Sequence, residues 1–192
     1  CPGFIEVGDG KFHCWRRHGH GVVDLKRAIA ESCDVYFYEI ARRVGIDNIA
    51  RMANRFGLGN SSGLDTPGER AGLIPTKAWK RAVIGQPWVL GETLVAGIGQ
   101  GFITTTPMQL ATMTARMVNG GKFVQPHLAR DLVAHDRLVA RVIPEPETID
   151  VSPRHLRAVM DAMALVTTDP AGTAHAARIL TPGMSMGGKT GT

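Results

Sequence analysis

Apolar residues recur at the spacing of an α-helix in several separate segments, and this periodicity constrains the fold more than any other feature of the sequence. Phe37, Ile40, Ala41 and Val44 follow the 0, 3, 4, 7 pattern of a single helical face. The segment from 156 to 163 repeats the pattern with Leu, Val, Met and Met. We therefore predict a chain built mainly from amphipathic helices that each bury one face.

Capping residues mark where these helices begin and end. N-cap residues, helix-starting prolines and helix-ending glycines predict five helices. Asp24 would cap the first, which leads through Glu31–Asp34 into the second, and Gly45 would end the second. Asp47 would cap the third, with Gly57 just past its end. The fourth would start with the capping box Thr106-Pro107-Met108-Gln109, and the last would run from Ser152-Pro153 to Asp169.

The remaining segments carry turn-forming or alternating residues. They predict an irregular loop over 1–21, a long surface connection over 57–75, and short strands within 123–141 with a turn at His135-Asp136. The glycine-rich end of the chain, 187–192, predicts a strand whose backbone another group can approach closely.

Composition bounds the class of protein. With 192 residues, of which 44% are hydrophobic, the chain is long enough for one sizeable core. The net charge of +5 comes from scattered basic pairs such as Arg16-Arg17, and no basic run interleaved with aromatic residues predicts a nucleic-acid partner. The sequence contains no run of about 18 apolar residues, the pattern that would predict a membrane span. Because the sequence starts without methionine and stops just after a Lys-Thr-Gly triplet, we expect a fragment that is truncated at both ends.

The joint between the first two helices carries three chemically active side chains in a row. Ser32 provides a hydroxyl, Cys33 a thiol and Asp34 a carboxylate. A turn between packed helices is a rigid place to mount polar chemistry. A serine at such a position is also typical of a simple helix cap, so the joint alone does not define a site.

The C-terminal residues fit two different motifs. Gly183–Thr190 matches the phosphate-loop pattern G-x-x-x-x-G-K-[ST], in which backbone N–H groups cradle phosphates and Lys189 would meet their charge. That pattern requires a helix starting at Lys189, and the Thr-Gly-Thr that follows is a poor helix start. In the alternative interpretation, Lys189-Thr190-Gly191 is a K-T-G motif on a strand edge that faces Ser32-x-Asp34 across a cleft.

The second interpretation resembles the penicilloyl-serine transferases, which combine the motifs S-x-x-K, S-x-N or S-x-D, and K-[ST]-G. Further segments resemble the transpeptidase domain of class B penicillin-binding proteins, most closely the elongation-type, penicillin-binding protein 2-like group. In order, they are Cys1-Pro2-Gly3, Trp15 to Gly21, Glu31 to Tyr38, Gly97 to Gly101 and Gly172-Thr173-Ala174. The resemblance covers essentially all of residues 1–192. It implies an α/β fold, shared with the serine β-lactamases, in which a helical subdomain packs on an antiparallel sheet. This partial domain would hold mainly the helices and the start of the K-T-G strand.

The resemblance implies a serine-type D,D-transpeptidase that cross-links D-Ala-D-Ala stem peptides of peptidoglycan in cell-wall elongation and is inhibited by β-lactams. Ser32 would relay a proton toward the departing amine with help from Lys189, and Asp34 would accept a hydrogen bond from a substrate amide. Thr190, Gly191 and Thr192 would bind substrate, with the Thr192 N–H as an oxyanion donor. No nucleotide is implied. The implied location is the periplasmic face of the inner membrane, with the anchor outside this chain and other elongation proteins as partners.

One motif of the family is absent from the sequence. No serine has a lysine three residues later, so S-x-x-K does not occur. In the family this motif carries the nucleophile and lies upstream of the match to Cys1, so we expect the fragment itself to be inactive. The alternative is a non-catalytic, zinc-stabilised binding domain that keeps the same fold.

Three cysteines and one histidine form a candidate metal site. Cys1, Cys14, His20 and Cys33 complete a Cys₃His set, which is a closed, structural type of zinc site. Some elongation-type members resemble this chain in having a metal that joins the loop at 1–21 to the residue inside S-x-D. His20 holds the matching place in Trp-x-x-x-Gly-His-Gly. The alternatives are a disulfide between Cys1 and Cys14, and Cys33 as a small buried residue.

Overall fold

Seven α-helices dominate the part of the chain that the computed structural model describes, residues 1–64, 66–128, 132–134, 137–139 and 147–191. They are α1 (Leu25–Ala30), α2 (Asp34–Val44), α3 (Ile46–Arg55), α4 (Lys77–Val83), α5 (Leu90–Gly97), α6 (Pro107–Val118) and α7 (Pro153–Thr168). Two antiparallel hairpins accompany them, β1 (Phe4–Val7) with β2 (Gly10–His13) and β3 (Leu132–Ala134) with β4 (Arg137–Val139). A 3-10 helix covers His175–Ala177. None of the described helices is long and apolar enough to cross a membrane.

Helices α1 and α2 form the predicted pair around the Ser32 joint. The Asp24 carboxylate accepts a hydrogen bond of 2.8 Å from the Arg27 N–H at the start of α1, and α2 ends at Gly45, whose φ is 78°. Both boundaries are confirmed. Helix α5 packs closely on α2, since a Cβ on Gly97 would lie 2.4 Å from the Cβ of Ala41. The core here consists of Cys14, Ala28, Cys33, Val35, Tyr38 and Leu94.

The predicted cap of α3 is wrong. Asp47 lies in the first turn of α3, after the N-cap residue Gly45. A single glycine separates α2 from α3, so there is no room for a separate capping residue. The Asp47 carboxylate instead accepts a hydrogen bond of 3.1 Å from the backbone N–H of Lys77, which ties α3 to the start of α4.

Helices α6 and α7 have the predicted starts. Thr106 and Gln109 form the capping box of α6, and Pro153 opens α7. Helix α7 packs against α1, where Ala162 and Val166 contact Ile29. The chain turns after α7 and returns to α1, since the Thr173 N–H donates to the Ala30 carbonyl at 3.0 Å. The end of α7 therefore lies beside the joint between α1 and α2.

The N-terminal segment is more regular than the sequence predicted. The irregular loop expected over 1–21 contains the hairpin β1–β2, with Phe4 opposite His13 and Val7 opposite Gly10. Gly8 and Asp9 form the two-residue connection, and Gly8 has a φ of 57°. Tight hairpins favour turn residues that tolerate positive φ. The same residues, Gly8 and Asp9, are therefore as typical of a two-residue hairpin turn as of the irregular loop that was predicted. The residues after β2, 14–21, are the part that matches the predicted loop.

The predicted C-terminal strand is absent from the described residues 178–191. The backbone there runs along α7: the Gly188 N–H donates to the Met163 carbonyl at 3.1 Å, and the Thr167 hydroxyl donates to the Met186 carbonyl at 2.6 Å. A strand requires a neighbouring strand, and here the backbone forms hydrogen bonds with α7 instead. The short strands predicted within 123–141 are confirmed as β3 and β4, whereas the His135-Asp136 turn lies outside the described residues. Helices α4 and α5 were not predicted.

Candidate active site and metal cluster

Ser32 adopts a backbone conformation that is unusual for its residue type. Its φ is 54°, and it is the only non-glycine residue with a positive φ among the residues that the structure describes. Such a conformation costs on the order of 1–3 kcal/mol and occurs mostly where function requires it. The Cys33 N–H donates to the Ala28 carbonyl at 2.9 Å, which keeps the turn tight. Ser32 is therefore held in place rather than being an ordinary helix cap.

Lys189 lies against Ser32, as the sequence predicted for a K-T-G lysine. Its Nζ donates to Ser32 Oγ at 2.5 Å, although the two residues are 157 positions apart in the chain. The same amine donates to the Thr190 carbonyl at 3.1 Å and to Thr190 Oγ1 at 3.2 Å. Loss of hydration lowers the pKa of Lys189 below its usual value, and the attraction of the Asp34 carboxylate opposes that shift. The amine thus meets a serine hydroxyl, an arrangement that a phosphate loop does not predict.

Asp34 occupies the first turn of α2, on the far side of Cys33 from Ser32. Its Oδ2 accepts a hydrogen bond of 2.8 Å from the backbone N–H of Trp15, which follows β2. A carboxylate has two oxygens and about four lone-pair positions, so this bond leaves acceptor capacity for another donor. The N-terminus of a helix also favours a negative charge.

An ion-pair network around one buried carboxylate supports the joint, and sequence reasoning missed it. Glu31 is only 4% exposed, and its carboxylate pairs with Arg27 at 2.7 Å and with Arg16 at 3.4 Å. The Trp15 indole N–H donates to the Glu31 carbonyl at 3.0 Å. The 15–16 segment therefore contacts both residues that flank the Ser32–Cys33 pair. The sequence held one signal for this network. Arg27 and Glu31 carry opposite charges and are four residues apart, the spacing at which side chains on a helix can pair.

Thr173 is a second residue that sequence reasoning did not assign to the site. Its Oγ1 lies 3.3 Å from Ser32 Oγ and 3.0 Å from Thr190 Oγ1. Thr190 Oγ1 is in turn 3.3 Å from Ser32 Oγ. Three hydroxyls thus form a closed triangle beside the Lys189 amine. The sequence analysis placed Thr173 in a segment that resembles the family, Gly172-Thr173-Ala174, but gave its hydroxyl no role.

These groups line one cleft with a volume of about 1000 Å³. Residues from four parts of the chain contribute to its wall, including Ser32, Asp34, Gly99, Thr173, Lys189 and Gly191. The structure therefore brings together the predicted residues Ser32, Asp34, Lys189, Thr190 and Gly191. Thr192, the remaining predicted substrate-binding residue, lies outside the described residues.

The predicted metal ligands also converge. The nearest ligand atoms of Cys1, Cys14, His20 and Cys33 all lie within 4.8 Å of one another. His20 Nδ1 is 3.6 Å from Cys1 Sγ and 3.5 Å from Cys14 Sγ. A zinc ion with Zn–S bonds near 2.3 Å and Zn–N bonds near 2.05 Å places sulfur and nitrogen about 3.6 Å apart. These two sulfur–nitrogen separations therefore match the corresponding edges of a tetrahedral Cys₃His site.

The surroundings of the cluster suit a metal better than free side chains. All three thiols are free, so Cys1 and Cys14 are not joined in a disulfide. His20 is only 6% exposed and its Nδ1 faces the thiols of Cys1 and Cys14, so a metal bound at Nδ1 would hold the buried ring in place. Burial lowers the pKa of His20 and raises the pKa of Cys33. A neutral imidazole is ready to ligate, and a bound cation would stabilise the thiolates.

Comparisons with known proteins identify the family. Residues 1–192 match the family described as penicillin binding protein transpeptidase domain. The chain is 37% identical over 193 aligned positions to the peptidoglycan D,D-transpeptidase MrdA of Acinetobacter baumannii, which covers 100% of this chain but only 28% of that protein.

Solved structures agree with this match. The penicillin-binding protein PBP2 of Helicobacter pylori, in its complex with MreC, superposes with a TM-score of 0.86 at 32% identity, over 99% of this chain and 34% of that one. PBP2 of Pseudomonas aeruginosa, in complex with WCK 5153, gives a TM-score of 0.82 at 39% identity, over 91% of this chain and 38% of that one. The fold class expected from the sequence is thereby confirmed. This chain belongs to the penicillin-binding protein transpeptidase family and is of the PBP2 and MrdA type.

Proposed function

We propose that this chain is the part of an elongation-type peptidoglycan D,D-transpeptidase that carries the S-x-D and K-T-G motifs. The observation that carries the proposal is the 2.5 Å hydrogen bond from Lys189 Nζ to Ser32 Oγ, which joins the two motifs across the cleft. The reaction is acyl transfer: a serine attacks D-Ala-D-Ala in a stem peptide, D-alanine leaves, and an amine accepts the acyl group. The attacking serine belongs to an S-x-x-K motif outside these residues.

Ser32 and Lys189 have complementary roles in this proposal. When the C–N bond of the tetrahedral intermediate breaks, the departing amine takes the proton of Ser32 Oγ, and Lys189 Nζ replaces that proton on the serine. The 2.5 Å contact already places donor and acceptor within hydrogen-bond reach. The lowered pKa of Lys189 lies closer to neutral pH than the pKa of an ordinary lysine, so the ammonium group gives up its proton more easily.

The same corner of the cleft suits the terminal carboxylate of the substrate, or that of a β-lactam. Lys189 supplies positive charge, and the hydroxyls of Thr190 and Thr192 supply hydrogen-bond donors. Gly191 lines the cleft without a side chain, so a ligand can approach its backbone. Asp34 accepts a hydrogen bond from an amide N–H of the stem peptide with the acceptor capacity that Trp15 leaves open.

We also propose one structural zinc ion bound by Cys1, Cys14, His20 and Cys33. The separations of the ligand atoms and the three free thiols support it. With four protein ligands the ion has no open position and takes no part in acyl transfer. These side chains tie the loop before α1 to Cys33, the residue between Ser32 and Asp34.

The proposed setting of the protein rests on its relatives. They are cell-wall transpeptidases, so we propose a location at the periplasmic face of the inner membrane, with the anchor outside this chain. The solved complex of Helicobacter pylori PBP2 with MreC supports the proposal that this protein, too, works with other components of the elongation machinery. Peptidoglycan stem peptides are the proposed substrates and β-lactams the proposed inhibitors.

Labelling with a fluorescent penicillin tests the proposed reaction. The full-length protein that contains this chain should become covalently labelled, whereas the 192-residue chain should not, because S-x-x-K does not occur in it. A labelled 192-residue chain would show that the nucleophile lies within it. A full-length protein that folds but takes no label would instead support the non-catalytic binding domain.

A further inference from the structure

The Thr173 hydroxyl occupies a shared position between the two catalytic motifs. It is the one member of the hydroxyl triangle that belongs to neither S-x-D nor K-T-G. The triangle lies on the wall of the cleft, and Thr173 lines that cleft together with Ser32 and Thr190. A role for this hydroxyl rests on the proposed function, because it concerns the hydrogen bonds of Ser32.

The backbone holds Thr173 at this position from two sides. The Thr173 N–H donates to the Ala30 carbonyl, two residues before Ser32, at 3.0 Å, and the Ala174 N–H donates to the Val166 carbonyl at 3.0 Å. At Gly172 a Cβ would lie 2.4 Å from the Val166 oxygen, so this position accepts only glycine. The hydroxyl of Thr173 is therefore fixed relative to the turn that carries Ser32.

The N–H donors of Lys189 define what the Thr173 hydroxyl can do. As an ammonium, Lys189 has three N–H donors, and they reach Ser32 Oγ, Thr190 Oγ1 and the Thr190 carbonyl. Both hydroxyl oxygens therefore accept from Lys189, and both must direct their own protons elsewhere. Thr173 Oγ1 lies within reach of both and has two lone pairs. It can accept from either hydroxyl or from both.

We propose that Thr173 is a positioning residue for acyl transfer: before the reaction its hydroxyl accepts from Ser32 and keeps Ser32 Oγ against the Lys189 amine, and the Ser32 proton turns to the departing amine when the C–N bond breaks. Without it, the Ser32 hydroxyl loses one of its two hydroxyl neighbours and rotates more freely. Small misplacements of reacting groups slow reactions by up to about a hundredfold. Thr173 makes this contribution through Ser32 and not by binding substrate.

The test uses the full-length protein and the kinetics of acylation by a penicillin. The dependence of the acylation rate on penicillin concentration separates the rate constant of acylation from the dissociation constant of the initial complex. Thr173→Val, which keeps the shape and removes the hydroxyl, should lower the acylation rate constant about tenfold or more and change the dissociation constant less than about twofold. Thr173→Ser, which keeps the hydroxyl, should restore the rate constant to within about threefold of the wild type.

Three outcomes would overturn the inference. They are an unchanged rate constant in a folded Thr173→Val variant, a weakened initial complex with an unchanged rate constant, and a Thr173→Ser variant as slow as Thr173→Val. Melting temperatures establish that the variants are folded, and Thr173→Ala replaces Thr173→Val if the valine variant is not. If the wild-type protein itself is not acylated, the proposed function fails. If the wild type is acylated and Thr173→Val matches it, only the role of Thr173 fails.

Discussion

At the scale of single residues, the protonation state of Lys189 links the two catalytic motifs. Loss of hydration lowers its pKa, while the Asp34 carboxylate, which belongs to the other motif, raises it. The folded protein therefore binds the lysine proton less tightly than the unfolded chain does. It follows that this group makes stability rise with pH between its lowered pKa and the ordinary lysine value of 10.5.

The pH dependence of acylation should report this lysine. The amine donates to Ser32 only while it is protonated, so the acylation rate should fall as the pH rises through the pKa of Lys189, below 10.5. Since Asp34 raises that pKa, Asp34→Asn should move the alkaline limb of the pH profile to lower pH. Asp150→Asn is the matched control, because the Asp150 side chain is 96% exposed and pairs with Arg55 outside the cleft. An alkaline limb that stays in place in Asp34→Asn, or moves to higher pH, would contradict this account.

At the scale of elements, the segment after β2 holds the joint between α1 and α2. Trp15 donates to Asp34 and to the Glu31 carbonyl, and Cys14 lies in the same cluster as Cys33. Cys33 is also fully buried in the core beside Ala28 and Leu94, so the polar bonds of this segment and the proposed metal add to apolar packing around the turn. The strained φ of Ser32 is maintained by these contacts.

Loss of the proposed metal should therefore weaken both stability and reaction. We expect about one zinc per chain in the purified full-length protein, with sulfur ligands near 2.3 Å by X-ray absorption. Cys33→Ser or His20→Ala should remove the metal, lower the melting temperature by about 5 °C or more and slow acylation. Structural zinc contributes on the order of 10–16 kcal/mol in small peptides, so a fraction of that suffices.

A neighbouring histidine provides the control for the metal site. His18 is exposed and lies outside the cluster, so His18→Ala should keep the zinc. The zinc proposal would be abandoned if the purified protein contained no metal and carried a disulfide between Cys1 and Cys14. The Ser32 turn would then be held by protein contacts alone.

The helices could be predicted from the sequence because their periodicity and caps are local signals. Asp24, Gly45 and the Thr106 capping box act within a few residues of each other, and their boundaries are confirmed. Helix α1, with 6 residues, is shorter than α4 and α5 and was found from its cap Asp24, whereas the Thr76 cap of α4 and the Glu92 capping box of α5 were overlooked. The predicted strand at 187–192 is wrong for its described part, 187–191, because strands depend on a partner elsewhere in the chain.

The residues of the candidate site also fall into two groups, those that sequence motifs predict and those whose roles depend on the fold. Ser32, Asp34 and Lys189 could be found because they belong to motifs with fixed spacing. Glu31 and Thr173 could not, because their roles arise only when α7 returns to α1 and when the segment after β2 crosses the joint. The cysteines were found from residue types and from the resemblance to the family, and the structure brings their sulfur atoms together.

At the scale of the whole molecule, the two ends of the chain build one cleft. Residues 14–34 and 173–191 meet although most of the sequence lies between them, and α7 packed on α1 is the connection that brings them together. The chain covers 28% of the length of its Acinetobacter baumannii relative. Under the proposed function, the attacking serine would enter this cleft from a part of the protein outside these residues.

The release of D-alanine by the full-length protein from stem peptides that end in D-Ala-D-Ala tests the central claim most directly. The account predicts release coupled to cross-link formation, with a loss of about a hundredfold or more in Ser32→Ala and in Lys189→Ala. Lys122→Ala, which changes an exposed lysine outside the cleft, should release D-alanine at the wild-type rate. If folded Ser32→Ala and Lys189→Ala proteins release D-alanine as fast as the wild type, the pair of residues that joins the two motifs is not the catalytic centre proposed here.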